Sequence, residues 1–206
     1  EQAAQEADRD PSHITLLAAS KRRTTFEIQE AANAGVSCFG ENYVPDLLSK
    51  ALELPNLEWH FIGHLQRNKC AKLVPHIALL HSLDSVRLAN TLNSLVDGLK
   101  VLIQVNLGGE STKSGCALEN APELARHLTR ECPGLALDGF MCIPPPRVDP
   151  TPFYKQLARL RDTVQDSLGM ALPSLSMGMS ADLEQAVHCG ATIVRVGSAI
   201  FGERKT

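Results

Sequence analysis

Short apolar runs alternate with longer amphipathic segments along most of the chain, which is the pattern of repeated β-α units. In the amphipathic segments apolar residues recur every three or four positions, as at Phe153, Leu157 and Leu160. Thr24 and Glu27 form a capping-box pattern, which predicts the start of a helix. The predicted strands cover residues 14–19, 36–39, 58–62, 77–81, 101–106, 135–143, 172–176 and 193–197. The predicted helices cover residues 24–35, 43–54, 66–74, 84–95, 119–130, 153–168 and 181–189, after a polar helical segment at 1–10.

Eight such units favour a closed (β/α)8 TIM barrel, because that fold uses eight by construction, whereas a doubly wound sheet rarely needs so many. The chain has 206 residues, which is short for such a barrel, so its loops must be short. An open parallel sheet is the alternative. We predict the α/β class, with a single barrel domain over residues 1–206.

The last predicted strand carries an arginine among apolar residues. Alternation places Ile193, Arg195 and Gly197 on one face and Val194 and Val196 on the other, where two valines suit packing against helices. A buried cation needs an anionic or hydrogen-bonding partner. Arg195 is therefore either a core arginine paired with a carboxylate or part of a ligand site.

The loops that follow the last two strands contain glycine and serine, at residues 176–180 and 197–198. Such loops expose backbone N–H groups that bind phosphate. In (β/α)8 barrels, moreover, the loops after strands seven and eight recurrently form a phosphate site. The sequence therefore predicts a phosphorylated ligand at this end of the molecule.

Lys21 follows the first predicted strand, at the same end of the barrel. A lone lysine at a strand end usually extends into solvent. The alternative is a desolvated amine, crowded by Arg22 and Arg23, whose neutral form attacks a carbonyl to form a Schiff base. A phosphate site across the barrel mouth favours this alternative, and pyridoxal 5′-phosphate carries both an aldehyde and a phosphate. Because guanidinium is donor-only, Arg195 could hydrogen-bond only an unprotonated pyridine nitrogen, which disfavours carbanion chemistry.

Composition and charge exclude several classes of protein. The net charge of −3 gives no electrostatic basis for nucleic-acid binding, and no apolar run is long enough to span a membrane. The six cysteines are scattered without C-x-x-C spacing, which indicates reduced thiols in a cytoplasmic compartment. His60 and His64 lie four residues apart, but Gly63 and the strand pattern of residues 58–62 exclude a shared helical face. No metal site is predicted.

Several motifs resemble those of the pyridoxal phosphate homeostasis proteins. They are AASK at 18–21, FGENY at 39–43, HFIGHLQxNK at 60–69, QVN at 104–106, KSG at 113–115, GFMCIP at 139–144, LSMGMSxD at 175–182 and RVGxxIFG at 195–202. The resemblance implies a barrel like the N-terminal domain of alanine racemase, with Lys21 as the aldimine lysine and Arg195 beside the pyridine nitrogen. It also implies cofactor contacts from Asn42, Ser176, Met177, Gly178, Gly197 and Ser198. Four of these residues are expected to bind the phosphate, namely Ser176, Gly178, Gly197 and Ser198.

The resemblance further implies a carrier or regulator of pyridoxal 5′-phosphate in vitamin B6 homeostasis, without catalytic residues. Racemases that share the barrel use a tyrosine from a second domain, and this chain ends at Thr206, just after the eighth strand, while Tyr43 and Tyr154 follow other strands. We expect a cytoplasmic monomer that has apo-enzymes as clients. One alternative is a pyridoxal-phosphate enzyme with weak racemase or decarboxylase-type activity on amino acids. Another is a sugar-phosphate isomerase, which would need no aldimine.

Overall fold

Eight parallel strands form a closed barrel in the computed structural model, which describes residues 1–110 and 114–202. Each strand pairs with the next along the chain, and the eighth pairs with the first. The predicted closed barrel is therefore confirmed, and the open-sheet alternative is wrong. The strands are β1 (Thr15–Ala19), β2 (Cys38–Glu41), β3 (Glu58–Phe61), β4 (Leu79–Leu83), β5 (Leu99–Val105), β6 (Leu135–Cys142), β7 (Ser174–Met179) and β8 (Ile193–Val196).

Helices lie between the strands, largely where the amphipathic pattern predicts them, and Thr24 and Glu27 form the predicted capping box. The segment predicted as one helix over 66–74 is instead a short helix between two 3-10 turns, and Pro75 in the second turn cannot supply an N–H to a continuing helix. The helices are α1 (Gln2–Glu6), α2 (Thr25–Asn33), α3 (Val44–Glu53), α4 (Cys70–Leu73), α5 (Val86–Asn93), α6 (Ala121–Glu131), α7 (Thr151–Leu168), α8 (Leu183–His188) and α9 (Ser198–Phe201).

Two separate groups of buried side chains make up the core. The larger group lies between the barrel and its helices and includes Val194 and Val196. The smaller group fills the barrel interior and includes Leu17, Leu102 and Ile193. The two faces predicted for the last strand are thus confirmed, and the inner face of β8 also carries the buried Arg195.

Three strands extend beyond their predicted ends, among them β4, which runs to Leu83 instead of residue 81. β2 runs to Glu41, whose carboxylate is buried and paired, and β7 runs through Gly178 to Met179. Gly178 has a φ of +91°, and a Cβ there would lie 2.5 Å from the Cβ of Ala186 on α8. The sequence pattern places Gly178 in the loop after the strand, whereas in the structure this glycine lets β7 continue close to the helix.

Within the described residues, no helix is both long enough and apolar enough to cross a membrane. The KSG motif lies partly outside the described residues, because residues 111–113 are not among them.

Candidate functional site

A cavity of about 270 Å³ opens at the carboxyl ends of β1, β7 and β8. In a (β/α)8 barrel this is the end at which ligands bind. The structure brings together here four of the residues singled out in the sequence, namely Lys21, Arg195, Gly197 and Ser198. The cavity is lined by Ala19, Lys21, Arg23, Met179, Ser180, Ala181, Arg195, Gly197, Ser198 and Gly202.

Lys21 lies in a tight turn directly after β1. The N–H of Arg23 donates to the carbonyl oxygen of Ser20 at 3.0 Å, and Arg22 between them has a φ of +62°. A non-glycine residue in this region is strained and is held there by its surroundings. Part of that hold comes from the Arg23 guanidinium, which donates to the Gly202 carbonyl at 2.7 Å. The turn that carries Lys21 is therefore tied to the segment after β8.

A buried ion pair lies beneath this turn. The Lys50 ammonium contacts the Glu41 carboxylate and also donates to the Ser20 carbonyl oxygen at 2.9 Å. The Ser20 hydroxyl donates to Glu41 Oε1 at 2.9 Å, so the residue before Lys21 is held through both its backbone and its side chain. Lys50 was missed in the sequence, because its long side chain reaches Ser20 only after α3 has packed on the barrel.

Arg195 is 5% exposed and lines the cavity from the barrel interior. One terminal nitrogen donates to the Ser176 hydroxyl at 2.7 Å and the other to the Cys142 carbonyl oxygen at 2.9 Å. Burial lowers the pKa of Arg195, although a guanidinium remains charged in proteins. In the described part of the chain no carboxylate forms an ion pair with Arg195, whose hydrogen-bond partners are Ser176 and Cys142.

None of the three cofactor contacts predicted on β7, which are Ser176, Met177 and Gly178, lines the cavity of Lys21. Ser176 is fully buried, and its hydroxyl lies between Arg195 and His81 Nδ1. Met177 is fully buried in the layer between barrel and helices. The hydroxyl that lines the cavity from this segment is that of Ser180, which accepts from the Gly197 N–H at 3.3 Å. Ser180 belongs to the quoted LSMGMSxD motif but was not among the predicted contacts.

Asn42 lies in a second cavity of about 230 Å³ at the same end of the barrel, separate from the cavity of Lys21. Its backbone is packed closely, since a Cβ on Gly63 would lie 2.0 Å from the Asn42 carbonyl oxygen. This second cavity is lined by Asn42, Ile62, Gly63, His64, Gln104, Val105, Asn106, Ser114 and Ile143.

One group of potential metal ligands occurs among the described residues, and it lies at the amino-terminal ends of the strands. Cys38, Glu58 and His60 have ligand atoms within 4.8 Å of one another. Burial raises the pKa of the Cys38 thiol to about 12, so the proton on sulfur opposes metal binding at neutral pH. His60 already hydrogen-bonds Glu58 through Nε2 at 2.9 Å, which is an alternative use of the same groups.

Neither tyrosine lines the cavity of Lys21. Tyr43 is 52% exposed before α3, and Tyr154 is fully buried on α7. Burial and the nearby Asp182 carboxylate raise the pKa of Tyr154 well above its usual range. The chemistry that the cavity offers is therefore one amine, two guanidinium groups, two hydroxyls and backbone N–H groups.

Comparison with known proteins gives consistent results over the whole barrel. The family model described as "Alanine racemase, N-terminal domain" matches residues 16–205. The pyridoxal phosphate homeostasis protein of Pseudomonas aeruginosa is 44% identical over 98% of this chain and 90% of its own length. The protein of that name from Escherichia coli is 40% identical over 98% of this chain and 91% of its own length.

Solved structures show the same relationship. PipY of Synechococcus elongatus, with pyridoxal phosphate bound, aligns with a TM-score of 0.84 and 32% identity over 97% of each chain. An alanine racemase of Clostridium difficile aligns with a TM-score of 0.80 at 12% identity, over 100% of this chain and 58% of its own. The second likeness concerns the fold alone.

Proposed function

Because the chain belongs to the family of pyridoxal phosphate homeostasis proteins, we propose that it binds pyridoxal 5′-phosphate in the cavity of Lys21 and acts in vitamin B6 homeostasis as a carrier or regulator. The observation that carries the proposal is the convergence of Lys21, Arg195 and the Gly197–Ser198 backbone on one cavity. An amine, a donor-only cation and a phosphate-binding turn match the aldehyde, the ring nitrogen and the phosphate of this cofactor. PipY, which has the cofactor bound, supports this assignment.

The predicted site residues have different roles in this proposal. Lys21 supplies the amine that bonds covalently to the cofactor's aldehyde, in a turn held by Ser20 and Arg23. Gly197 and Ser198 bind the phosphate at the start of α9, the short extra helix that often completes such sites. Gly178 leaves room for the segment that brings Ser180 to the cavity. Ser176 and Met177 contribute by holding Arg195 and by packing, and Asn42 faces the neighbouring cavity.

The composition of the cavity also supports binding without turnover. When bound, the cofactor supplies an electron sink for reactions of amino acids. Two-sided proton transfer also needs a second acid or base opposite Lys21. The described residues that line the cavity include no carboxylate, imidazole or phenol. A weak pyridoxal-phosphate enzyme acting on amino acids is the second candidate, because the cavity is open enough to admit small amines.

The wider setting follows from the same proposal. We take residues 1–206 as a single cofactor-binding barrel domain that acts as a monomer in the cytoplasm, where its cysteines stay reduced. Apo-enzymes that require the cofactor are the proposed clients. A sugar-phosphate isomerase is disfavoured, because it gives Lys21 no role.

The test is covalent trapping. Full-length protein incubated with pyridoxal 5′-phosphate should become yellow, and borohydride should fix a pyridoxyl group on the peptide that contains Lys21. Lys21→Ala should abolish the adduct, whereas Lys72→Ala, an exposed lysine on α4, should leave it unchanged. A colourless protein, or an adduct that maps elsewhere, would contradict the assignment of the site.

A second measurement separates carrier from enzyme. Holo-protein is incubated with L-alanine in deuterium oxide, and the α-carbon is followed by NMR. A spectral change of the cofactor without deuterium exchange supports the carrier. Rapid exchange together with D-alanine would establish the second candidate instead.

A further inference from the structure

A continuous chain of polar side chains crosses the barrel interior and ends at Arg195. It begins at Glu58, whose Oε1 lies 2.9 Å from Nε2 of His60. His60 Nδ1 lies 3.0 Å from Nε2 of His81, and His81 Nδ1 lies 2.8 Å from the Ser176 hydroxyl oxygen. Arg195 donates to the same hydroxyl at 2.7 Å. The chain therefore connects the amino-terminal ends of the strands with the wall of the cofactor cavity.

Only the first member of the chain is largely exposed to solvent. The Glu58 side chain is 56% exposed, whereas His60 is 4%, Arg195 is 5%, and His81 and Ser176 are 0% exposed. Buried polar atoms that lack a partner are costly, so the interior members depend on one another for their hydrogen bonds. Loss of one member of the hydrogen-bond chain therefore leaves its neighbours without a partner or forces them to change their protonation.

The carboxylate of Glu58 fixes the direction of the hydrogen bonds in the chain, and the Arg195 end is compatible with that direction. Arg195 can only donate, so the Ser176 oxygen accepts and its single proton is free to donate to His81 Nδ1. His81 then carries its proton on Nε2 and donates to His60 Nδ1. His60 in turn carries its proton on Nε2 and donates to the Glu58 carboxylate, which can only accept.

The opposite direction conflicts with the carboxylate at the Glu58 end. If His81 donated to Ser176, neutral His60 would carry its proton on Nδ1 and turn a lone pair toward the Glu58 carboxylate. That conflict disappears only if His60 becomes charged, and burial lowers the pKa of His60 and lowers that of His81 further. With both rings neutral, one proton arrangement satisfies all members.

We propose that Glu58, His60, His81 and Ser176 act as positioning residues that hold the Arg195 guanidinium in one orientation through a one-directional hydrogen-bond chain. Because the Ser176 proton donates to His81, the Ser176 oxygen accepts a hydrogen bond from Arg195. This hydrogen bond holds one Arg195 nitrogen toward the barrel interior, away from the cavity. The remaining N–H groups of Arg195 stay available to the ligand. The inference deepens the proposed function, because the ligand that meets Arg195 is the proposed cofactor.

The proton arrangement should persist across the neutral range. The charged or titratable groups that face the chain are Asp138, Lys100 and Cys38 around His60, Arg195 beside His81, and Cys142, Tyr154 and Asp182 around Arg195. Among them the Cys38 and Cys142 thiols have pKa values raised to about 12 by burial, so they stay neutral. We therefore expect no change of tautomer between about pH 7 and pH 8.

The first test uses cofactor-free protein and does not depend on the proposed function. Imidazole ¹⁵N NMR at pH 7.5 should show two buried neutral rings, both protonated on Nε2, and His60→Gln and His81→Gln assign the two signals. The Arg195 guanidinium should give resolved, slowly exchanging N–H signals, which Ser176→Ala should lose. A ring that is charged or protonated on Nδ1 would overturn the inference.

The second test starts from the exposed end, where substitution leaves the core intact. Glu58→Gln replaces an acceptor-only group by an amide that also donates, so a second tautomer of His60 and His81 should appear. Glu123→Gln, an exposed carboxylate on α6, is the matched control and should leave the spectrum unchanged. If His60 and His81 each kept a single, unchanged tautomer in Glu58→Gln, Glu58 would not set the direction of the hydrogen bonds.

The final test adds the cofactor and measures its dissociation constant. Ser176→Ala should weaken binding roughly tenfold, the effect of losing one hydrogen bond to a charged group, and Glu58→Gln by about threefold. Unchanged affinity in Ser176→Ala, with thermal unfolding as in the wild type, would overturn the positioning role. If the wild-type protein bound no cofactor, the proposed function would be wrong. The cofactor-free spectra would still decide whether the hydrogen-bond chain holds Arg195 in one orientation.

Discussion

Two buried cations support the mouth of this barrel, and their partners differ. Lys50 is 7% exposed and meets the carboxylate of Glu41, which is itself fully buried. Arg195 is 5% exposed and meets the hydroxyl of Ser176 and the carbonyl of Cys142. The charge of Lys50 is thus balanced by a direct neighbour, whereas the direct hydrogen-bond partners of Arg195 are neutral.

The difference indicates different tasks for the two cations. Lys50 and Glu41 together hold Ser20, so their pairing fixes the backbone that leads into Lys21. Arg195 lines the cavity, where its charge and its remaining N–H groups are available to a bound molecule. A locally neutralised pair stabilises the fold, whereas a cation held by neutral acceptors retains its electrostatic effect on a ligand.

The largest expected effect is on stability, at Lys50. Lys50→Met leaves Glu41 as a buried carboxylate without its partner, and breaking such a pair costs about 3–5 kcal/mol. Urea unfolding followed by circular dichroism measures this loss in the free energy of unfolding. The double variant Lys50→Met with Glu41→Gln should recover much of it, and Lys72→Met, at an exposed lysine, should have little effect. A loss below about 1 kcal/mol in the single variant would show that the pair is not structural.

A smaller effect on stability is expected at Arg195. Arg195→Met removes two hydrogen bonds to neutral acceptors and leaves no unpaired charge, so the free energy of unfolding should fall by about 1–3 kcal/mol. Binding of pyridoxal 5′-phosphate should nevertheless weaken more than in Lys50→Met, when both are measured by equilibrium dialysis. If Arg195→Met were as destabilising as Lys50→Met and bound the cofactor normally, the division of tasks would be wrong.

At neutral pH the smallest expected effect comes from the buried histidines, which should make the stability depend on pH. Burial lowers the pKa values of His60 and His81 in the folded protein, so the unfolded chain binds more protons below about pH 6.5. The free energy of unfolding should therefore fall as the pH drops through that range, by up to about 1.4 kcal/mol per pH unit for each histidine. Above this window, their contribution is constant.

His81→Gln removes one of these titrating groups and should flatten the decline between about pH 6.5 and pH 5. Urea unfolding at several pH values measures the slope. His127→Gln, at a histidine bound to Asn90 between α5 and α6, serves as the control. Equal slopes in the wild type and His81→Gln would show that His81 takes up its proton in the folded protein.

The sequence alone was sufficient for the fold and for the faces of its last strand. Apolar alternation at Val194 and Val196 and helical spacing on α7 are local patterns, and eight of these units close a barrel. The motif resemblance also placed Lys21, Arg195, Gly197 and Ser198 at one end of the molecule, where the structure groups them. Strand ends follow from chain order, so their common location needed no knowledge of contacts.

The tertiary structure decided which partners the buried polar groups have. His60 and His81 lie 21 residues apart, and Ser176 lies 95 residues beyond His81, yet their side chains meet inside the barrel. The same holds for Lys50 and Ser20, which are joined only when α3 packs against β2 and β3. Periodicity fixes the face on which a side chain lies, but the distance between two side chains depends on strand register and barrel closure. The orientation of Arg195 was therefore set by contacts that no local pattern contains.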